Sequence, residues 1–344
     1  MREIRELALR RPDDMHVHLR QGPELAGYVQ DLAGPFARAL VMPNTIPPIT
    51  TPEELAGYRA SILEAAAPGG RGLGLTPLMT FKIRPGMDRE RIRALKRAGA
   101  VAGKYYPQGV TTNSEDGIAA SETVRETIAA MEAEGLVLCL HGEEPGAEAL
   151  ERERAFLPRL AELAESFPSL RIVLEHVSSA PGIEAVRALP DRVAATVTVH
   201  HLLYTLDDLL GGGLDPHLFC KPVVKSASDR EAIQRVVLEG NRRFFFGSDS
   251  APHLRKAKEG SRAAAGVYSM PVSLPLLAAF FDERDSLGLL EPFVSRFGAE
   301  FYGLPLNEGS LRLQREAWRV PEVVHGVVPL AAGRELSWRV APAD

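Results

Sequence analysis

Residues 121–141, SETVRETIAAMEAEGLVLCLH, contain one complete repeating unit of the fold that the chain predicts. Ser121 can cap a helix at its start, and Gly135 can end it. The helix would bury one face, formed by Val124, Ile128 and Met131. The run LVLCL that follows is apolar throughout, as in a strand that is buried on both faces, and His141 stands at its end.

The same alternation of helical and strand-like runs continues along most of the chain. A second predicted helix buries Phe156, Leu160, Leu163 and Phe167. We count eight strand-like runs, near Met15–Leu19, Ala37–Met42, Leu73–Phe81, Val101–Tyr105, Leu136–Leu140, Arg171–His176, Val193–Val199 and Phe244–Phe246. Eight parallel strand–helix units predict an α/β protein with a (β/α)8 TIM barrel.

The length of 344 residues fits two domains of about 150 residues, but single α/β barrels also reach this size. We predict one barrel domain over residues 1–344. After about Pro305 the strand–helix rhythm weakens, and the pattern does not predict where this short carboxyl-terminal extension lies.

The composition is that of an ordinary globular protein, with 45% hydrophobic and 25% charged residues. A formal charge of -5 without long blocks of one sign argues against nucleic acid as a partner. No apolar run has the length of a membrane span, and the amino terminus lacks the apolar centre of a signal peptide. We therefore expect a cytoplasmic protein in which Cys139 and Cys220 are reduced thiols.

Two histidines follow each other closely at the end of the first predicted strand, in the segment DDMHVHLR. His16 and His18 are two residues apart, so both side chains point to one face of the strand. Such a pair can bind a metal, but it can also be ordinary packing at a strand end. His141, His176 and Asp249 each lie at or just past the end of a different predicted strand. In a barrel those ends meet at one mouth, which favours a metal site.

Lys104 ends the fourth strand-like run, in the segment VAGKYYP. A lone lysine there is normally a solvent-facing tip, but in a barrel it would face the mouth. Two nearby cations would disfavour its ammonium form, and a neutral amine can add carbon dioxide to form a carbamate. Four neutral histidines and one aspartate bring a single negative charge to two divalent ions, so a bridging carbamate would improve the charge balance.

Eight segments of the chain, taken together and in order, resemble the short, single-domain dihydroorotases of the amidohydrolase superfamily. The matching segments are RRPDDMHVHLRQG, VMPNTIPP, GKYYPQGVTTNS, LHGE, LEHVSS, PHLFCKPVVK, GSDSAPH and FYGLP. These enzymes close carbamoyl-aspartate to dihydroorotate during pyrimidine synthesis and also catalyse the reverse hydrolysis. The resemblance therefore implies a metal-dependent cyclic amide hydrolase.

The resemblance also assigns roles to the clustered residues. It implies two zinc ions, bridged by a hydroxide and by Lys104 in its N6-carboxylysine form. One ion would be held by His16, His18, Lys104 and Asp249, and the other by Lys104, His141 and His176. Zinc suits these donors, and Asp249 would act as general base and then as general acid.

A substrate with its own carboxylate needs a cation nearby, and Arg20 follows His18 on the same face with a planar fork that suits this anion. The resemblance adds further substrate contacts, at His18, Asn44, His141, Lys221, His253 and Ala265, with main-chain contacts at Lys221 and Ala265. Asn44 could instead be a simple turn residue, and His253 an ordinary loop histidine. Met15 and Lys221 depart from the family pattern, which has an aromatic and an apolar residue there.

The loop YPQGVTTNSEDG follows Lys104 directly and is rich in turn-forming and polar residues. The resemblance implies that Thr111 and Thr112 reach the substrate when this loop closes as a lid over the mouth. The alternative is a solvated surface loop. His200 and His201 match no ligand position, and we interpret them as packing residues or as supports for the ligands.

Two other functions remain open from the sequence. One is another cyclic amidase of the superfamily, such as a hydantoinase or allantoinase. In our interpretation those relatives have a β-rich segment before the first histidine pair, for which His16 leaves no room. The other is an inactive barrel that serves as a structural partner, although every ligand type is present. A homodimer is common for such barrels, but no self-complementary surface is evident.

Overall fold

The structure is a computed structural model that describes residues 4–67 and 74–342. Its centre is an eight-stranded parallel sheet whose strands follow one another in chain order. These strands are β2 (Asp13–Val17), β3 (Arg38–Val41), β4 (Thr76–Lys82), β5 (Ala100–Tyr105), β6 (Val137–His141), β7 (Ile172–Glu175), β8 (Val193–Val197) and β9 (Phe244–Phe246), after a first strand β1 (Glu6–Arg10) outside this sheet. The predicted TIM barrel is confirmed.

The barrel closes where β2 meets the chain that follows β9. Val17 and Ser250 form a parallel bridge, the His18 amide donates to the Ser250 carbonyl at 3.0 Å, and the Asp249 amide donates to the His16 carbonyl at 2.8 Å. These hydrogen bonds bring the first and last predicted ligand segments side by side, although they are more than 200 residues apart in the chain.

All eight predicted strands are present, with shifted ends. His18 lies just past β2 and not on it, because β2 ends at Val17. The register of β2 against β3 shifts between Asp14 and Val17, so the chain already leaves regular strand geometry at the histidine pair. The predicted start of the third strand at Leu73 lies outside the described residues.

The α-helices that surround and extend the barrel are α1 (Leu25–Ala33), α2 (Pro52–Ala66), α3 (Arg89–Arg97), α4 (Arg125–Glu134), α5 (Arg152–Ser166), α6 (Ala180–Ala188), α7 (Val199–Leu203), α8 (Leu206–Leu210), α9 (Ala227–Leu238), α10 (Arg255–Lys258), α11 (Ser273–Asp282) and α12 (Phe297–Tyr302). Short 3-10 turns cover Ser121–Val124, Met270–Val272 and Leu287–Leu289, and a π-helical turn covers Pro292–Arg296. None of the described helices is long and apolar enough to cross a membrane.

The two helices predicted in detail are both present. Gly135 ends α4 in the left-handed conformation, with φ 70°, as its position predicts. The prediction that Ser121 caps this helix is wrong, because Ser121 begins a 3-10 turn that precedes α4. In α5 the predicted apolar residues Phe156, Leu160 and Leu163 are buried.

Two apolar layers hold the barrel together. Inside the ring of strands, a small cluster is formed by Met15, Leu40, Met42, Leu78, Ala102, Val137, Cys139, Val173, Ala194, Phe245 and Tyr302. A much larger cluster fills the space between the strands and the surrounding helices. Because the interior is packed, the strand ends are the place where side chains can face a ligand.

The carboxyl-terminal extension folds back onto the amino terminus. Strand β10 (Ser310–Gln314) pairs antiparallel with β1 and with β13 (Arg339–Val340), and a separate ribbon joins β11 (Trp318–Arg319) to β12 (Glu335–Leu336). The amino terminus therefore contributes one strand, β1, ahead of the first histidine pair, which is less than the β-rich segment that we expect of hydantoinases and allantoinases. A single five-residue strand is present, because β10 supplies the partner that so short a strand needs.

Candidate active site

The six predicted ligand residues meet at the carboxyl ends of the barrel strands. His16 lies in β2, Lys104 in β5 and His141 at the end of β6. His18 and His176 directly follow β2 and β7, and Asp249 lies three residues after the end of β9. All six are buried. Together with Arg20, Asn44, Tyr106, Thr111, Thr112, Lys221, Ala251, Ala265 and Gly266, they line a small cavity.

His16, His18 and Asp249 form a compact group. Oδ1 of Asp249 lies 3.3 Å from Nε2 of His16 and 3.1 Å from Nε2 of His18, and one potential ligand atom from each residue lies within 4.8 Å of the others. Burial alone would raise the pKa of Asp249, but these two histidines outweigh it and hold the pKa well below its usual range. The carboxylate is therefore ionised and aimed at both rings.

The hydrogen bonds of three histidines determine which ring nitrogen is free to bind a metal. His16 donates from Nδ1 to Glu175 at 2.7 Å, and His18 donates from Nδ1 to the Asn44 side-chain oxygen at 2.7 Å. A neutral ring with its proton on Nδ1 can offer the Nε2 lone pair to a metal, and Nε2 is the atom of both rings that faces Asp249. His141 donates in the opposite sense, from Nε2 to Glu143 at 2.6 Å, which leaves Nδ1 available.

His176 completes the group of rings. Its centroid lies 4.7 Å from that of His141 and 5.2 Å from that of His16. Its Nδ1 atom is buried without a hydrogen-bond partner among the described residues. Burial holds the pKa of His176 well below its usual value and lowers that of His141, so both rings are neutral, the form that binds metals.

Lys104 is buried completely at the end of β5. Its Nζ atom has no hydrogen-bond partner in the described parts of the chain, although it lies 5.4 Å from the centre of the Tyr106 ring. Burial lowers the pKa of Lys104, which favours the neutral amine. A buried lysine without a partner is costly as an ammonium, so its environment fits the predicted chemical modification.

Three residues of the mouth have left-handed backbone angles that are uncommon outside glycine. The φ angles are 60° for Arg20, 43° for His176 and 44° for Asp249. Each residue lies one to three residues past the end of a strand, where the backbone turns at the mouth. Strain of this kind is typical of functional sites.

The predicted carboxylate subsite lies beside this group of ligands. Nη2 of Arg20 lies 3.0 Å from Nε2 of His253, and that nitrogen lies 3.0 Å from the carbonyl oxygen of Ala265. Burial, followed by the charge of Arg20, lowers the pKa of His253 to about 3, so the ring is neutral and donates its Nε2 proton to Ala265. Arg20 therefore retains an N–H for an anion.

Asn44 contacts both a predicted metal ligand, His18, and the loop that follows Lys104. Its side-chain oxygen accepts from His18, and its side-chain nitrogen donates to the Thr112 carbonyl at 3.1 Å. The prediction gave Asn44 only a substrate contact. In this structure its amide also orients a ring, which excludes the interpretation that Asn44 is a simple turn residue.

The loop after Lys104 lies over the mouth. Oγ1 of Thr112 donates to the Ala265 carbonyl at 3.3 Å, and the side-chain amide of Asn113 donates to the Asn44 carbonyl at 2.8 Å. At its far side, Lys82 donates to the Asn113 carbonyl at 2.8 Å and pairs with Asp116. The amide of Thr111 is held within the loop by Ser114. These contacts hold the loop in place over the mouth.

The sequence did not predict three buried acidic residues that support the ligands. Glu143 and Glu175 orient His141 and His16, and Thr196 also donates to Glu175 at 2.7 Å. Asp14 accepts from the amides of His16 and Ser248, at 3.1 and 2.8 Å, and so joins the first strand to the last. Each stands within two residues of a predicted ligand, and this proximity was the available signal.

A second group of possible ligands lies deeper in the protein, at His200, His201 and Cys220. His201 already uses both ring nitrogens, with Thr198 and with the Pro222 carbonyl, each at 2.9 Å. The Cys220 thiol donates to the same carbonyl at 3.1 Å, and burial raises its pKa to about 12. These contacts support the interpretation of His201 as a packing residue.

Comparisons with known proteins agree with this geometry. The model of the amidohydrolase family matches residues 14–321. A dihydroorotase from Teredinibacter turnerae is 41% identical over 97% of this chain and 98% of its own length. The crystal structure of a dihydroorotase from Saccharomyces cerevisiae in complex with 5-fluoroorotic acid is 34% identical, with a TM-score of 0.91 over 98% of this chain and 99% of that one. An L-hydantoinase from Arthrobacter aurescens, at 20% identity and TM-score 0.80, covers 97% of this chain and 83% of its own and shares the fold.

Proposed function

The chain belongs to the amidohydrolase family and, within it, to the dihydroorotases, and from this premise we propose that it interconverts N-carbamoyl-L-aspartate and L-dihydroorotate in pyrimidine synthesis. One observation supports this reaction most directly. The barrel mouth combines the six predicted metal ligands with a partly buried arginine, Arg20, that lines the same cavity. A cyclic amide with its own carboxylate needs both features.

Two zinc ions fit the donors that the chain presents. His16, His18, Lys104 and Asp249 would hold one ion, and Lys104, His141 and His176 the other. The free Nε2 atoms of His16 and His18 and the free Nδ1 atom of His141 support this assignment. When bound, such ions lower the pKa of a shared water and polarise the scissile carbonyl.

Lys104 would serve both ions as a carbamate. Its buried amine, without a hydrogen-bond partner and with a lowered pKa, is the form that adds carbon dioxide. Addition of carbon dioxide to the amine releases one proton and would give a carbamate, whose two oxygens share one negative charge. Its charge would also offset part of the positive charge of the two ions at a site where water is excluded.

Asp249 is suited to move the proton in both directions. In hydrolysis its carboxylate would accept a proton from the attacking water and then give it to the ring nitrogen as the amide bond breaks. Its contacts with His16 and His18 keep it ionised and fix its direction. Cyclisation is the same sequence reversed, with Asp249 taking the proton from the carbamoyl nitrogen.

Arg20 would bind the substrate carboxylate through the N–H that it retains beside His253. His253 would join it by exchanging its hydrogen bond to Ala265 for one to the substrate. Lys221 and Ala265 also line the cavity and would contribute main-chain groups. Thr111 and Thr112 would close over the substrate from the lid and exclude water.

A hydantoinase or allantoinase is a weaker alternative. The hydantoinase likeness lies at 20% identity and concerns the fold, whereas the dihydroorotase likeness extends over nearly the whole chain at 41%. The substrate of this chain would also have to occupy the space beside Arg20, where covering the guanidinium without an anion costs free energy. That cost favours a substrate with a carboxylate.

The reaction is tested with purified protein that has been loaded with zinc. We expect dihydroorotate to be hydrolysed and carbamoyl-aspartate to be cyclised, with little turnover of hydantoin or allantoin. We also expect Lys104→Ala to lose metal and activity together, as measured by metal analysis of the folded variant. A zinc-loaded wild-type protein that fails to turn over dihydroorotate would contradict the proposed function, and retention of two ions by Lys104→Ala would contradict the carbamate.

A further inference from the structure

Lys258 is a buried lysine that is not one of the six predicted metal ligands. It ends the short helix α10 and is 2% exposed. Its ammonium donates to three main-chain carbonyls, those of Phe219 at 2.8 Å, Ala264 at 2.9 Å and Gly266 at 2.6 Å. The described residues supply no ion-pair partner for this group. All three N–H donors are thus used on the backbone, which is an unusual environment for a lysine.

The three carbonyls belong to two segments that form one wall of the cavity. Phe219 lies two residues before Lys221, and Ala264 and Gly266 flank Ala265. The Gly266 amide also donates to the Phe219 carbonyl at 2.9 Å, so the two segments are joined directly at this point. Lys258 therefore fixes the backbone on both sides of the residues that face the substrate space.

The wall has little room for adjustment at this point. A side chain at Gly266 would place its Cβ 2.5 Å from the Ala251 carbonyl oxygen, and Gly266 has a φ of 150°. The Ala265 carbonyl between the clamped residues accepts from both His253 and Thr112. A shift of this carbonyl would thus disturb the carboxylate subsite and the lid together.

Burial of an ammonium is unfavourable, and it lowers the pKa of Lys258 to about 8. Three charge-assisted hydrogen bonds offset this cost at neutral pH. If the ammonium were replaced by an apolar group, the Ala264 carbonyl would lose a donor. The two wall segments would then be joined only by the hydrogen bond from the Gly266 amide to the Phe219 carbonyl.

We propose that Lys258 is a positioning residue for substrate binding, which ties the Phe219–Lys221 and Ala264–Gly266 segments together so that the main chain at Lys221 and Ala265 meets the substrate. It touches neither the substrate nor the predicted metal ligands. This inference rests on the proposed function, because it assigns Lys258 to the wall of that same site.

The test compares Lys258→Met with Lys256→Met, a change of the same kind at an exposed position of the same helix. For dihydroorotate we expect Lys258→Met to raise KM about 10- to 100-fold with little change in kcat, since a small displacement of positioning groups costs about this much. Its metal content should equal that of the wild type. Lys256→Met should have wild-type KM and kcat.

A purely structural role makes a different prediction. It would lower Tm while leaving KM of the folded fraction unchanged, and this result would overturn the proposal, as would parallel losses of kcat and metal. If Lys258→Met does not fold, Lys258→Gln replaces it, because an amide can still donate to two carbonyls. We then expect a smaller rise in KM, and an unchanged KM would overturn the proposal. Failure of the wild-type protein to use dihydroorotate would instead refute the proposed function.

Discussion

Buried charged and polar residues lie at both ends of the barrel, but their surroundings differ. At the amino-terminal end, the buried charges are paired and the opening is covered by the segment that contains FYGLP, residues 301–305. At the carboxyl-terminal end, buried polar atoms converge on a cavity and several have no protein partner. One end is built for stability, while the other accepts unfavourable groups that a ligand can satisfy.

The pairing at the amino-terminal end is centred on Asp13 and Arg38, which begin β2 and β3. They form a bidentate ion pair, in which Nε and Nη2 of Arg38 donate to the two carboxylate oxygens of Asp13 at 2.8 and 2.7 Å. Arg38 also donates to the Pro305 carbonyl at 2.8 Å, and Asn307 donates to Asp13 at 2.7 Å. Arg171 donates to the Phe301 carbonyl at 2.9 Å. Each of these contacts holds the 301–307 segment against the barrel.

The carboxyl-terminal end has the reverse character. Lys104 and His176 have buried nitrogens without partners among the described residues, and His176 and Asp249 have strained φ angles. Such features cost free energy in the absence of a ligand. Stability and reactivity in this chain are therefore separated along the barrel axis, and we expect that each can be changed with little effect on the other.

The largest expected effect is at the reactive end. Asp249→Asn keeps the size of the side chain and tolerates the left-handed backbone, but it removes the proton acceptor. We expect kcat to fall by at least about 10³-fold, because a general base and a ligand are lost together. The Tm of the metal-free protein should change much less than in the next variant. Substantial activity in the zinc-loaded variant would refute the role of Asp249.

The matching change at the stable end is Asp13→Asn. It leaves the Arg38 guanidinium buried with no counter-charge, which costs about 3–5 kcal/mol of unfolding free energy. Denaturant unfolding measures this loss, and kcat of the folded enzyme should remain close to the wild-type value. A strong loss of kcat with unchanged stability would contradict the division between the two ends.

Arg20→Met tests substrate binding separately from metal binding at the carboxyl-terminal end of the barrel. We expect KM for dihydroorotate to rise about 10- to 100-fold, because a charge-assisted contact of about 1.5–3 kcal/mol is lost. Metal content should stay the same. Dihydrouracil, which lacks the carboxylate, serves as the control substrate, and any turnover of it should be equal in the variant and the wild type. A normal KM for dihydroorotate would contradict this role of Arg20.

The smallest expected effect is at the lid. Thr112→Val keeps the shape of the side chain and removes the hydrogen bond to the Ala265 carbonyl. A loss of about 1 kcal/mol corresponds to roughly a fivefold fall in kcat/KM. Thr123→Val is the matched control, because the Thr123 hydroxyl donates to Ala120 at an exposed position. Equal kinetics for the two variants would show that the Thr112 contact does not assist closure.

The sequence predicted the barrel well because the signals are local. Each strand is an apolar run such as LVLCL or FFF, and each predicted ligand stands at or next to a strand end, as His141 does after β6. The barrel geometry then brings these ends together without further information. Periodicity predicts the existence of each strand more firmly than its limits, which is why His18 was placed on β2.

The remaining features depend on contacts between distant parts of the chain. The hydrogen bond from His16 to Glu175 spans 159 residues, and no local pattern marks Glu175 as its partner. The pairing of β1 with β10 joins the two ends of the chain, and both strands are short. Lys258 looks like one more charge in the segment LRKAKEG until its three carbonyl partners are seen.

The most direct test of this account is a crystal structure of the zinc-loaded protein, with anomalous scattering measured at the zinc edge. We predict two zinc peaks at the carboxyl-terminal mouth, one beside His16, His18 and Asp249 and one beside His141 and His176, with a carbamate on Lys104 between them. A mouth without zinc, or an unmodified Lys104 directed away from both positions, would contradict the account.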